Sequence, residues 1–406
     1  MMDRNQFLPP TTDLARWQRT ALTVGVLGMI GAVVSLAISR EQFFRSWLIG
    51  FLWIWGATIG CMAWLCVYHL TGGNWGTVTR RIFEAGTRCL PLAAVAVIPI
   101  VIGMHSLFIW THADERAKDP YLGHHPWLNT PGFIGRLIGY FVIWFVIVWY
   151  MNKISARQDE PNPPTGPAYF GRLRGISGIS VIVTVFTLTF GAIDWAMSLE
   201  PRWYSTMWGF LFADGQALTA IALAIMTLAA LKPFTPMEQL ARPDEFHDLG
   251  NLTLAMTMVW AYFWFSQYLI IWSGNMPEET IFLIHRTTGG WQFYTLPMFF
   301  GTFVIPFCLL LSRARKRNYL RLRWVALLVF LMRLADLIWI VEPSFKTKAG
   351  EYAVHLSPFD FIIPAGLMGL WLAFFLYNLA RRPLMPVYES HVIEMVAKAE
   401  AASHGH

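Results

Sequence analysis

The chain has 406 residues, 55% of them hydrophobic and only 14% charged, against about 25% charged in a soluble domain. Together with a mean hydropathy of +0.45, this excludes an ordinary soluble enzyme and points to a multi-pass membrane protein. The net charge of +6 is no nucleic-acid signal, because the basic residues sit in loops between apolar runs, where membrane orientation accounts for them.

A membrane span needs about 20 mostly apolar residues. Residues 1–19, with Asp3, Asp13 and the Pro9-Pro10 pair, read as a polar N-terminal segment. The first apolar run, 20–38, is long enough to span and ends without a small-x-small cleavage site, so it reads as a retained helix rather than a signal peptide. Nine more runs follow, at 47–68, 90–110, 133–151, 176–197, 207–231, 249–272, 293–312, 324–341 and 359–379. A loop rich in His and acid, 111–132, joins the third to the fourth, and the Pro/Gly linker PNPPTGPAYFG joins the fourth to the fifth. Residues 380–406 read as a tail in which 387–403 has the pattern of a short amphipathic helix. The expected fold is an all-α integral membrane protein: one ten-helix domain over 20–379, with no soluble domain.

Lys and Arg between the spans number 21 on the side of the N-terminus and 8 on the other, and the block SRARKRNYLRLR alone supplies six. Under the positive-inside rule both termini are cytoplasmic, in a bacterial inner membrane, and the turn at Glu200-Pro201-Arg202 faces the periplasm.

That orientation gathers the ionisable residues of the spans in the outer half. Asp194 ends the fifth span, Asp214 lies about two turns into the sixth, and Arg333, Asp336 and Glu342 occupy the outer half of the ninth. His105 stands near the outer end of the third, and His112 follows it on the same helical face. A carboxylate in the hydrocarbon layer costs roughly 2.5–3.5 kcal/mol even on a mild insertion scale, so each faces the bundle interior. Arg333 and Asp336, spaced i, i+3, can neutralise each other, as a structural ion pair or a tuned proton site. Asp194 and Asp214 have no partner nearby in sequence and read as hydrogen-bonded carboxylic acids or as stops on a proton path. The inner half offers only His69, Glu84 and His247 near its surface, so a half-channel is the most that the pattern supports.

Other chemistries find little support. His69 and His105 lie at opposite ends of their spans and cannot share a haem. His112, Asp114, Glu115, His124 and His125 read as a docking surface rather than a metal site. Cys61, Cys66, Cys89 and Cys308 form no CxxC pair and read as inert thiols. No GxGxxG or Walker loop suggests a nucleotide. Aromatic clusters such as PRWYSTMW fit interface anchors, and a flat site for a quinone ring among them stays open. The segments FGAIDW in the fifth span and LMRLADLIW in the ninth hint at parallel repeats: two four-helix units, helices 2–5 and 6–9, with two flanking helices.

The stretches TFGAIDWAMSLEPRWYSTMWG, WAYFWFSQYLIIWSGNMPEE and RLADLIWIVEP resemble the NrfD-like (polysulfide-reductase membrane subunit) superfamily, and within it the ActF-like branch, a membrane subunit of bacterial alternative complex III. The resemblance runs from the first span to the tenth. It implies two four-helix bundles and membership of a quinol:electron-acceptor oxidoreductase, with no cofactor bound by this chain. It implies quinol (menaquinol) oxidation near a sister ActC-like membrane subunit. Iron–sulfur clusters and haem c would sit in an iron–sulfur/molybdopterin-like periplasmic subunit and multihaem cytochrome c subunits. Membrane lipids complete the expected partners. Asp194, Asp214, Arg333 and Asp336 stand in the matched motifs and are the residues to which a proton-conducting role carries over; position adds His105 and Glu342 to the candidates. A secondary transporter and a purely structural anchor are the competing expectations.

Overall fold

The computed structural model describes residues 7–160, 167–347, 349–386 and 392–396, and among these every regular element is helical. Ten helices are long and apolar enough to cross a membrane: α1 Thr11–Ile38, α2 Arg40–Thr71, α3 Asn74–Ile102, α4 Thr130–Arg157, α5 Gly171–Leu199, α6 Trp208–Leu231, α7 Pro243–Gly274, α8 Gln292–Leu310, α9 Tyr319–Ser344 and α10 Phe359–Ala380. Helix is the form that satisfies every backbone N–H and C=O within one segment, which a hydrocarbon environment demands. Polar side chains set several starts. Ser39 Oγ accepts the Gln42 N–H at 3.3 Å, Asn129 Oδ1 the Gly132 N–H at 2.7 Å, and Asn318 Oδ1 the Arg321 N–H at 3.1 Å.

The helices centre on α2 and α6, which are buried along most of their length and pack on each other. Around α2 stand α3, α5 and α10; around α6 stand α5, α7 and α9. Helix α4 rests on α3 and α5, and α8 on α7 and α9. Helix α1 lies outermost along α10, and glycine permits their close crossing: a Cβ on Gly28 would fall 2.1 Å from the Gly366 Cα. Below, the end of the bundle that carries Glu200 is the turn end.

Two spans depart from expectation, and a third, α8, keeps its expected bounds but is internally irregular. Helix α1 begins at Thr11, inside the segment read as a polar lead-in; Asp13 in its first turn favours the helix start. Helix α3 begins at Asn74 and ends at Ile102. Its polar first half, 74–87, is buried in protein rather than lipid, so a hydropathy window misses it. The span is interrupted at Arg88–Cys89 and again at Val97, just ahead of Pro91 and Pro99. Helix α8 carries a π-turn over Phe300–Val304 between Pro297 and Pro306; each proline removes a backbone donor and shifts the ladder. Short helices between the spans were not anticipated; the longest of them is Pro277–Thr287, between α7 and α8. Of the amphipathic tail helix expected at 387–403, only 392–396 is described; it is helical, with Val392 and Met395 buried. The remainder of that segment, residues 1–6 and the linker residues 161–166 lie outside the described residues.

Candidate functional site

The sequence candidates divide into separate sites. Arg333 reaches from α9 across α6, and Gly215 lets it do so: a Cβ there would lie 2.1 Å from Arg333 Nη2. Arg333 Nη1 donates to Asp336 Oδ2, and both residues are buried. Asp214, beside Gly215, feels the same guanidinium charge. Neither Asp214 oxygen has a hydrogen-bond partner among the described residues; the same holds for the amide oxygen and nitrogen of Gln216 and for Arg333 Nε. Leaving such an atom unmet costs about 1–3 kcal/mol. The five are not gathered in one place: Arg333 lies over Gly215 and acts on Asp214, whereas the Gln216 amide is turned to α2, where a Cβ on Gly56 would fall 1.6 Å from its Oε1.

Toward the turn end the polar line continues. Glu342, in the last turn of α9, is fully buried, and His355 Nε2 lies 3.0 Å from its Oε2. Asp360, in the first turn of α10, is also fully buried and interacts directly with Glu342. Asp360 accepts hydrogen bonds from Ser46 Oγ at 2.6 Å, Gln42 Nε2 at 2.7 Å and the Ser357 N–H at 2.8 Å. The Glu342 contact raises the His355 imidazole above its usual range, against burial and against the Arg45 guanidinium 3.4 Å away. Between the two groups stands Tyr294 of α8. Its hydroxyl donates to the Ala335 carbonyl at 2.9 Å, and Asp336, Glu342 and Asp360 all act on it electrostatically.

Asp194 belongs elsewhere, and it is not partnerless. It accepts two bonds from Arg136 of α4, at 2.9 and 2.7 Å, one from the Tyr140 hydroxyl at 2.9 Å and one from Trp127 Nε1 at 2.8 Å. Both oxygens are saturated by donors that lie 54 to 67 residues away in sequence. His105 also departs from expectation. Helix α3 ends at Ile102, and His105 is exposed beyond it, its ring stacked 3.8 Å from that of His112. It takes no part in the buried line.

Two further charge clusters flank the bundle. At the turn end, Arg286 of the Pro277–Thr287 helix is fully buried. It donates to Glu200 at 2.6 Å, to the Ile340 carbonyl at 2.7 Å and to Ser344 Oγ at 2.9 Å. Burial pushes the Glu200 carboxyl up, but Arg286 and His285 outweigh it and hold the group at about 2. At the opposite end, Glu84 of α3 takes 2.9 Å and 2.7 Å contacts from Arg80 and Arg81, a 2.5 Å bond from Ser155 Oγ and a 3.5 Å contact from Arg382. Glu84 is thus the centre of a buried charge network.

Sequence reasoning missed Arg136, Tyr294, His355 and Asp360. A signal existed for Arg136, a lone arginine within an apolar run. Asp360 and His355 looked like ordinary residues at the entry to the last span, and a tyrosine in an aromatic-rich helix carries no signal. No protein-family model matches the chain, and no curated protein matches it.

Proposed function

We propose that this chain is a haem-free membrane subunit of a bacterial quinol:electron-acceptor oxidoreductase of the alternative complex III type, with a proton half-path at its turn end. The observation that carries the proton half-path is the buried line Asp214, Arg333, Asp336, Tyr294, Glu342 and Asp360, which spans α6, α8, α9 and α10 and holds polar atoms without partners. The wider assignment rests on the NrfD-like motifs around Asp194 and Asp336 and on the segment WAYFWFSQYLIIWSGNMPEE. In this reading the spans form two four-helix bundles, α2–α5 and α6–α9, flanked by α1 and α10. The packing of α2 on α3 and α5, and of α6 on α7 and α9, supports it. The excess of basic residues, 21 against 8, favours a bacterial inner membrane with both termini in the cytoplasm and the turn end in the periplasm.

Each quinol that gives up two electrons also gives up two protons. We assign quinol oxidation to a sister membrane subunit beside an iron–sulfur partner, and electron transfer onward to multihaem partners. This chain's own residues then handle protons: Asp214 and Asp336 share the charge of Arg333, and the Glu342–Asp360 pair with His355 exchanges protons with the periplasm. Asp194, saturated by Arg136, Tyr140 and Trp127, acts as a clamp between α4 and α5.

The test uses the intact complex. Asp214→Asn and Asp336→Asn should each leave assembly and haem content unchanged while lowering proton release per quinol oxidised. Unchanged release and turnover in both would leave a structural anchor as the function. One observation favours a second reading, secondary transport: the π-turn of α8 breaks a span near its middle, as transporter helices are broken at their substrate sites. Extraction in mild detergent separates the two, since a subunit co-purifies with haem and iron–sulfur partners and a transporter does not.

A further inference from the structure

We propose that a cleft beside α1 binds one anionic glycerophospholipid, its phosphate on Arg16 and Arg19 and one acyl chain between α1, α2, α9 and α10. The cleft has a volume of about 500 Å³, and its walls include Trp17, Val24, Trp53, Phe330, Met368 and Phe375. Its two hydroxyls are already spent on backbone carbonyls: Thr20 Oγ1 donates to Arg16 O at 3.2 Å and Thr227 Oγ1 to Leu223 O at 2.8 Å. What the cleft offers a guest is therefore mainly hydrocarbon and aromatic surface, enough for one acyl chain, together with Trp53, whose buried Nε1–H has no partner among the described residues and could serve an acyl ester carbonyl.

A second recess, about 520 Å³, adjoins it nearer the start of α1 and is lined by Thr12, Ala15, Arg16, Arg19, Thr20 and Thr23. Thr20 lies in both walls, so the two recesses adjoin across its side chain. Only the shallow recess carries charge. Asp13 stands 3.8 Å from Arg16 and offsets part of it, while Arg19 has no carboxylate partner among the described residues. From Arg19 to Val24 is five residues, a depth of about 7.5 Å along a helix. Cations at the interface and apolar walls one to two turns deeper match the layout of a phospholipid, phosphate outside and chain inside. Basic sites at such an edge attract anionic headgroups. A neutral quinone would leave the arginines unmatched, as would an apolar helix from a partner. The leaflet concerned is the one at the N-terminal end of α1, which is cytoplasmic in the orientation proposed above; the site itself does not depend on that orientation.

The experiment measures lipids retained by the full chain, purified in mild detergent from membranes containing phosphatidylglycerol and phosphatidylethanolamine. About one phosphatidylglycerol per chain is expected in native mass spectra, and its affinity should fall roughly twenty-five-fold in the Arg16→Gln/Arg19→Gln variant, at about a factor of five for each arginine. Thr20→Trp, which fills the junction of the recesses, should abolish retention. Should the variants fail to fold, the unaltered protein serves with phosphatidylglycerol carrying a photoreactive acyl chain. Crosslinks on the peptides bearing Trp53 and Met368, displaced by phosphatidylglycerol and not by phosphatidylethanolamine, support the site. Equal retention of phosphatidylethanolamine, a quinone recovered in place of lipid, lipid lost on dilution as an adventitious additive only, or crosslinks spread over all exposed helices would each overturn it.

Discussion

Asp194 and Asp336 occupy matching places, each near the turn end of its span and each followed closely by tryptophan, yet their surroundings differ. Asp194 meets one guanidinium, one phenol and one indole, and all its acceptor capacity toward them is used. Asp336 takes its bond from Arg333 on its own helix, and that same guanidinium acts on Asp214, whose oxygens have no donor among the described residues. One site balances one acid with one base; the other sets two acids against one base. By charge balance a proton is the least costly counter-charge for the surplus acid. On the reading proposed above, the two halves each keep an aspartate at this place, and only the half with the surplus acid would have a proton to pass on.

The largest effect that tests this contrast is at Arg136. Arg136→Ala leaves Asp194 buried without its counter-charge, a loss of about 3–5 kcal/mol, measured as thermal unfolding in detergent. A change below about 1 kcal/mol would remove the distinction between the two sites. Arg333→Met should cost less, about 1–3 kcal/mol, because both Asp214 and Asp336 can be left as neutral acids. The aspartates themselves sharpen the point. Asp214→Asn should stay within about 1 kcal/mol of the unaltered protein, since it replaces a group with no donor. Asp194→Asn strands Arg136 and should destabilise more. Proton release should follow the reverse order, falling for Asp214→Asn and holding for any Asp194→Asn protein that folds.

How far the sequence carries depends on which force sets each feature. Ten spans were readable because hydropathy over about 20 residues is a local property, and the Arg333–Asp336 pair because i, i+3 neighbours share a helix face. The start of α3 was not readable, since Arg80, Arg81 and Glu84 are charges buried against one another and against Ser155, and hydropathy scores them as loop. The partners of Asp194 come from another helix and another loop, so no local pattern predicts them. His105 was misplaced because Pro99 and Gly103 end the span early, a backbone effect within an apolar run. The grouping of Glu342 with Asp360 and His355 depends on where α9 meets α10, which only the packing shows.

The smallest predicted effect extends the comparison to the two acids at the turn end that contact histidine. Glu200 is held at about 2, chiefly by Arg286 acting against burial, so its stabilisation is present above the ordinary glutamate range and is lost as pH falls toward 2. Glu342 instead leans on His355, whose imidazole is raised by that contact. The sign is opposite. A histidine raised on folding binds its proton more tightly folded than unfolded, so its contribution is fully present below about 6.5 and is lost as pH rises through the folded value. Arg45 and burial oppose the shift, which keeps it modest. The unfolding temperature of the unaltered protein should therefore decline from pH 6 to pH 8 relative to His355→Gln, the two curves meeting at the alkaline end. Parallel curves over that interval would mean that Glu342 does not rely on a charged His355, and that the acid pair with Asp360 carries its own proton.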